Sequence, residues 1–129
     1  MFIKQYIVDR KHLDFQGVVD GLYYPFYMEW TRHAFMREAL GIHIEQLFEM
    51  GHIYMVLEYQ IKFRKSLRKN DKFSVSCQLE ANEKKTRVNF VQKIFIGDQV
   101  YAEATFVCTC MAKGRPTIPN VILNMFDSD

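Results

Sequence analysis

Long apolar runs are missing from this 129-residue chain. No window approaches the roughly 18 apolar residues of a membrane span, and Met1 to Arg10 hold no stretch long enough for a signal peptide, so neither membrane nor secretion is expected. Cysteine is scarce. Cys77, Cys108 and Cys110 form an odd set without a C-x-x-C pair, which argues against a disulfide framework and against a zinc site, and suggests a reduced, cytoplasmic setting. Charge of one sign is also lacking: 17 Lys and Arg against 15 Asp and Glu leave +2, too mild for a nucleic-acid or membrane footprint. The four histidines, His12, His33, His43 and His52, show no ligand spacing and no Ser or Cys nucleophile motif beside them. A resident metal or a catalytic triad is therefore not expected. Internal repeats and low-complexity segments are absent.

What the chain does have is core material. With 49% hydrophobic and 15% aromatic residues, it is long enough for one domain, residues 1–129, around one core. Phe2 to Val8 alternate loosely and predict a strand. Pro25 lacks an N–H and belongs in the first turn of a helix, so the helix there starts no earlier than about Leu22. It continues to Leu40, with Gly41 just past its end. Its apolar side chains cover most of the circumference, which predicts a buried helix. His43 to Met50 read as a short helix or irregular turn.

From His52 the period changes to two: Ile53, Met55, Leu57, Tyr59, Ile61 and Phe63 alternate with more polar neighbours, predicting a long strand with that set on the core. Residues 64–71 read as a connection. Strands follow at Phe73–Leu79, Val88–Ile96 and Val100–Met111, with turns at Ala81–Lys84, Gly97–Asp98 and Lys113–Pro116. The tail to Asp129 has helical or irregular character. One long helix and about five antiparallel strands in succession give an α+β architecture, a sheet curling round the helix.

Asp14 precedes a glycine turn at Gly17, and that turn runs through Asp20 and Gly21 into the aromatic helix. Amides at a helix start carry unpaired N–H groups, so a carboxylate and hydrogen-bond donors converge in a manner suited to chemistry on a carbonyl. The competing reading makes Asp14 a turn-forming aspartate bonded to its own backbone. Glu29 and Arg32, three residues apart on the helix, are expected to pair with each other. Tyr23, Tyr24, Tyr27 and Trp30 read mainly as core, and Cys108 and Cys110 as small core residues on one strand face.

Asp14, Gly17, Val19, Tyr24, Tyr27, Glu29, Arg32 and Phe35 fall without a gap on the pattern D-x-x-G-x-V-x-x-x-x-Y-x-x-Y-x-E-x-x-R-x-x-F. Weaker matches continue through Leu40-Gly41, Asn70-Asp71 and Gly114 to Pro119. On these residues the sequence resembles the hotdog-fold acyl-CoA thioesterases, in their 4-hydroxybenzoyl-CoA thioesterase-like branch. The resemblance implies a hotdog fold, a five-stranded antiparallel sheet wrapped around one long helix. It implies hydrolysis of a fatty-acyl or aryl thioester of coenzyme A or acyl carrier protein, without a cofactor. Asp14 matches the catalytic carboxylate, acting as nucleophile or as general base on water. The thioester oxygen is expected at the backbone N–H groups of Gly21, Leu22 and Tyr23, with Gly17, Asp20 and Tyr24 beside the substrate.

Asp20-Gly21 depart from the polar pair that this branch commonly carries after Gly-x-Val. The departure motivates an alternative, a non-hydrolytic acyl-binding or accessory hotdog protein. A dehydratase would need a histidine near the acid, and His12 lies outside that pattern. The basic tract Arg64, Lys65, Arg68 and Lys69 is a solvated turn or a contact for coenzyme A phosphates or an acidic carrier protein. A curled sheet with one helix leaves an open edge and an unfinished groove. The resemblance implies that both are closed in a homodimer or homotetramer, with the site between protomers.

Overall fold

Five strands and one long helix account for most of the 126 residues, 1–126, that the computed structural model describes. In chain order they are β1 (Phe2–Ile7), α1 (Tyr24–Leu40), α2 (Ile44–Glu49), β2 (His52–Phe63), β3 (Lys72–Ala81), β4 (Val88–Ile96) and β5 (Gln99–Ala112). A two-residue strand β6 (Arg115–Pro116) folds back on β5, and a short helix α3 (Asn120–Leu123) follows. The last three residues of the expected tail, 127–129, lie outside the described residues.

Every pairing is antiparallel, and the strand order is β1-β3-β4-β5-β2. The strands are therefore not neighbours in simple succession. β2 leaves α2, forms one edge beside β5, and the connection 64–71 carries the chain across to β3 on the far side. This crossing brings Leu67 against Tyr24 at the start of α1, where the Leu67 N–H donates to the Tyr24 hydroxyl.

The helix begins at Tyr24 with Pro25 in its first turn, preceded by a 3-10 turn at Gly21–Tyr23. Its end is fixed by Gly41, which adopts a left-handed backbone (φ 68°) and donates its N–H to the Met36 carbonyl. A side chain would be strained there. Buried residues occupy several faces of α1: Tyr24, Tyr27, Met28, Thr31, Arg32, Ala34, Phe35, Met36 and Leu40. They meet Phe73, Val75, Phe90, Ile94 and Phe106 from the sheet. Each large apolar side chain buried here contributes about 1.5–3 kcal/mol from removal of its surface from water.

Two further sequence expectations change. The strand β2 does not keep one alternating set on the core, because its register against β5 shifts between Val56 and Glu58. The bulge reverses which residues point inward. Tyr54 and Val56 pack on the core before it and Ile61 after it, whereas Ile53 and Leu57 are exposed. Arg32 does not pair with Glu29. It is 1% exposed, donating from Nε to Tyr54 Oη and from Nη1 to Gln92 Oε1, each at 2.9 Å. Its guanidinium lies 4.2 Å from the Phe106 ring centroid. Gln92 completes the brace by donating Nε2–H to the Met28 carbonyl at 2.8 Å. A polar link thus joins helix to sheet inside the core.

Candidate active site

A tight hairpin over residues 13–19 holds Asp14. Leu13 bridges Val19, the Asp14 N–H donates to the Val18 carbonyl at 2.8 Å, and the Gly17 N–H donates to the Asp14 carbonyl at 3.1 Å. Gly17 takes φ +81°, a conformation glycine adopts with little strain. The hairpin is tied down on two sides. Val19 N–H donates to the Leu67 carbonyl at 2.8 Å, Val18 bridges Arg68, and Asp20 N–H donates to the His12 carbonyl at 2.9 Å.

Asp14 is partly buried. Its Oδ1 accepts from the N–H of Gln16 at 2.8 Å and of Val18 at 3.4 Å. The turn-forming reading of Asp14 thus describes one of its oxygens. The other, Oδ2, has no hydrogen-bond partner among the described residues. Bonds at Oδ1 fix the carboxyl orientation, and Oδ2 stays available.

The three amides at the start of the helix differ. Asp20 caps the 3-10 turn: its Oδ1 accepts the Leu22 N–H and its carbonyl accepts the Tyr23 N–H, both at 2.9 Å. Those two donors are committed inward. The Gly21 N–H has no acceptor among the described residues, so of the three expected donors it is the one without a partner. A Cβ at Gly21 would stand 3.7 Å from the Phe63 ring, which places this residue against the end of β2.

Asp14, Gly21 and Tyr24 line one cavity of about 340 Å³, and Arg64 and Lys65 of the basic tract border it together with Phe63. Tyr24 forms its wall. Burial raises the Tyr24 phenol above its ordinary range, against a lowering from the Leu67 N–H that donates to it, so the hydroxyl is a neutral acceptor. Gly17 and Asp20 do not line this cavity. Asp20, with Gly21 and Phe63, borders a second and larger one of about 640 Å³ between α1 and β2. The two cavities meet at Gly21 and Phe63.

The basic tract divides. Arg64 pairs with Glu103 at 3.0 Å and lowers that carboxyl below its ordinary range. Lys65 Nζ donates to Gln99 Oε1 at 2.6 Å and lies over the Tyr101 ring. Arg68 and Lys69 are exposed, and their side chains have no ion-pair partner among the described residues. Glu29 lines the larger cavity, not the Asp14 cavity. Among the described residues, no group of three or more His, Cys, Asp or Glu stands close enough to hold a metal ion. No helix among them is long and apolar enough to cross a membrane. Sequence reasoning missed Phe63 and Leu67 as site residues, since nothing local marks where β2 ends against Gly21 or where residues 64–71 cross the helix.

A curled antiparallel sheet around one long helix, with the pocket at the helix start, defines the hotdog fold. The chain belongs to the thioesterase-like superfamily, whose family model matches residues 8–126. It is 32% identical over 83 residues, 64% of its length, to the chloroplastic acyl-acyl carrier protein thioesterase ATL3 of Arabidopsis thaliana. The match covers 43% of that protein, so the chain spans less than half the length of this curated relative. Among solved structures, a hypothetical protein of Aquifex aeolicus superposes with a TM-score of 0.86 at 26% identity, over 96% of this chain and 98% of that one. The DHNA-CoA thioesterase of Staphylococcus aureus superposes with a TM-score of 0.81 at 17% identity, over 97% and 85% of the two chains, a likeness of fold.

Proposed function

We propose that the protein hydrolyses an acyl thioester of coenzyme A or of acyl carrier protein, with Asp14 as the catalytic carboxylate. The observation that carries this reading is the shared cavity. Asp14 and Gly21 line the same cavity of about 340 Å³, and among the described residues one Asp14 oxygen and the Gly21 amide have no hydrogen-bond partner. Family membership and the acyl-acyl carrier protein thioesterase relative support the reaction class.

A thioester carbonyl seated there accepts the Gly21 N–H. As general base, Asp14 takes a proton from water, the water oxygen bonds to the carbonyl carbon, and negative charge gathers on the carbonyl oxygen at the helix start. The C–S bond then breaks, the proton passes from Asp14 to the departing thiolate, and acid and thiol leave. As nucleophile, the Asp14 oxygen bonds to the carbonyl carbon itself, the C–S bond breaks, and the departing thiolate takes a proton from water; a second water then cleaves the resulting anhydride, which frees the acid and restores the Asp14 carboxylate. Oxyanion donors of this kind are typically worth about 3–4 kcal/mol of barrier. The sulfur of a thioester is a good leaving group, so no metal is needed for the step.

The carrier is met by the basic tract. Arg68 and Lys69 are the residues offered to phosphate, because Arg64 and Lys65 already hold partners on β5 and at its start. The protein works as a homodimer or a larger even assembly. Strand β2 supports this reading: it is a twelve-residue edge strand with one side unpaired in the single chain, and it exposes Ile53 and Leu57. Long apolar edges of this kind are covered in stable proteins. Pairing two copies there closes the sheet edge and brings a second strand to the mouth of the Asp14 cavity.

The test is a panel of short, long and aromatic acyl-CoAs and an acyl carrier protein thioester, with release of free thiol followed. Turnover of at least one class is expected. Tight binding of acyl-CoA with no release from any would favour the acyl-binding alternative and contradict the hydrolase reading.

A further inference from the structure

The larger cavity runs along α1 from Gly21 and Phe63 to Arg32, Val56 and Phe106. Its walls are mostly apolar, which suits an acyl chain. Its far end is unusual for such a slot. Arg32 is 1% exposed, yet the ion pairs among the described residues are Lys4–Glu38 and Arg64–Glu103. A buried guanidinium without a carboxylate beside it is costly unless its N–H groups are satisfied. Nε and Nη1 have partners in Tyr54 and Gln92. Nη2 has none among the described residues. It is not sealed in either, since the fully buried side-chain polar atom left without a partner there is His52 Nδ1. Arg32 is one of the residues that line the cavity, and Nη2 is the guanidinium nitrogen left without a partner among the described residues.

We propose that Arg32 is a specificity-determining residue, which holds a neutral acceptor oxygen on the distal part of the acyl group. This assignment rests on the reading of the Asp14 cavity as the thioester site. From Tyr24 to Arg32 the helix rises about 12 Å at 1.5 Å per residue, so the recognised oxygen sits far from the thioester, not beside it. Its charge follows from the lining. Asp20 and Glu29 border the same cavity as Arg32, and two carboxyl groups against one guanidinium disfavour a further anion. A ketone or hydroxyl oxygen takes the donors of Nη2 without that repulsion. A plain alkyl chain leaves them unpaired, and a site built to hydrogen-bond a substrate discriminates against an analogue that lacks the group.

The experiment uses non-hydrolysable acyl-CoA analogues with a methylene between sulfur and carbonyl, so that it does not depend on turnover. Three chains of equal length are compared by calorimetry: unsubstituted, with a distal ketone, and with a terminal carboxylate. The full-length wild-type protein is expected to bind the ketone analogue about ten- to a hundredfold more tightly than the unsubstituted one, and the carboxylate analogue less tightly than the ketone. In Arg32→Gln, checked for folding by circular dichroism, the preference for the ketone should vanish. Equal binding of ketone and unsubstituted chains, tightest binding of the carboxylate, or a preference that survives in folded Arg32→Gln each overturns the proposal. If Arg32→Gln does not fold, the wild-type comparison decides, together with Glu29→Gln, which should improve binding of the carboxylate analogue and leave the ketone nearly unchanged. A retained ketone preference with no thiol release from any true thioester would instead refute the hydrolase reading alone.

Discussion

The Tyr24 hydroxyl accepts a hydrogen bond from the Leu67 N–H at 2.9 Å, and the same Leu67 offers its carbonyl to the Val19 N–H at 2.8 Å. One buried residue of the 64–71 connection thus grips both the first turn of α1 and the hairpin that carries Asp14. The relative placement of carboxylate and helix start depends on this grip.

Tyr24→Phe removes the acceptor and leaves the Leu67 N–H buried without a partner. The expected loss is about 1–3 kcal/mol of stability, read as a shift of the urea midpoint at constant m. Catalysis should weaken beyond what the lost stability explains, with kcat falling at a temperature where the variant is fully folded. Unchanged kcat would mean that the Leu67 grip does not position the site.

Arg68→Ala and Lys69→Ala remove the two exposed side chains of the basic tract that hold neither an ion pair nor a side-chain hydrogen bond among the described residues. Both are expected to raise KM for acyl-CoA several-fold and to flatten its dependence on salt. A short pantetheine thioester without the nucleotide phosphates should be unaffected. The same loss on both substrates would point to structural damage, not to phosphate contact.

Burial pushes the Cys77 thiol up to about 12 and Cys110 up to about 11, from an ordinary value of 9.0. The folded protein therefore keeps protons that the unfolded chain releases above about pH 9. Stability from these groups is complete below pH 9 and falls by about 1.4 kcal/mol per pH unit for each thiol as pH rises, until about 11 for Cys110 and about 12 for Cys77. Tyr27, pushed to about 12 chiefly by burial, steepens the decline above pH 10. Urea unfolding at several alkaline pH values measures the slope, and Cys77→Ala should make it shallower whatever that substitution does to stability at neutral pH.

Much of this architecture is legible in the sequence because its signals are local. The change of period at His52, the placement of Pro25 and Gly41, and the glycine turn at Gly17 each act within a few residues. The inward face of β2 was not legible: alternation identifies a strand, but one bulged residue near Leu57 exchanges the faces, and nothing nearby marks it. Arg32 shows the same limit. Three residues from Glu29, it reads as a surface ion pair, yet its partners Tyr54 and Gln92 lie 22 and 60 residues away. The Asp14 turn is written in its own residues, whereas the commitment of the Leu22 and Tyr23 amides follows from Asp20 acting as a cap, a role that competes with any part it has in binding substrate.

The central claim is that one carboxylate at the turn does the chemistry, and Asp14→Asn tests it most directly. Asparagine keeps an oxygen for the Gln16 and Val18 N–H groups, so the hairpin and thermal unfolding should be nearly unchanged. Thiol release under single-turnover conditions should fall by at least about a hundredfold, while Glu29→Gln loses much less. A folded Asp14→Asn protein that releases thiol at close to the wild-type rate would contradict the account.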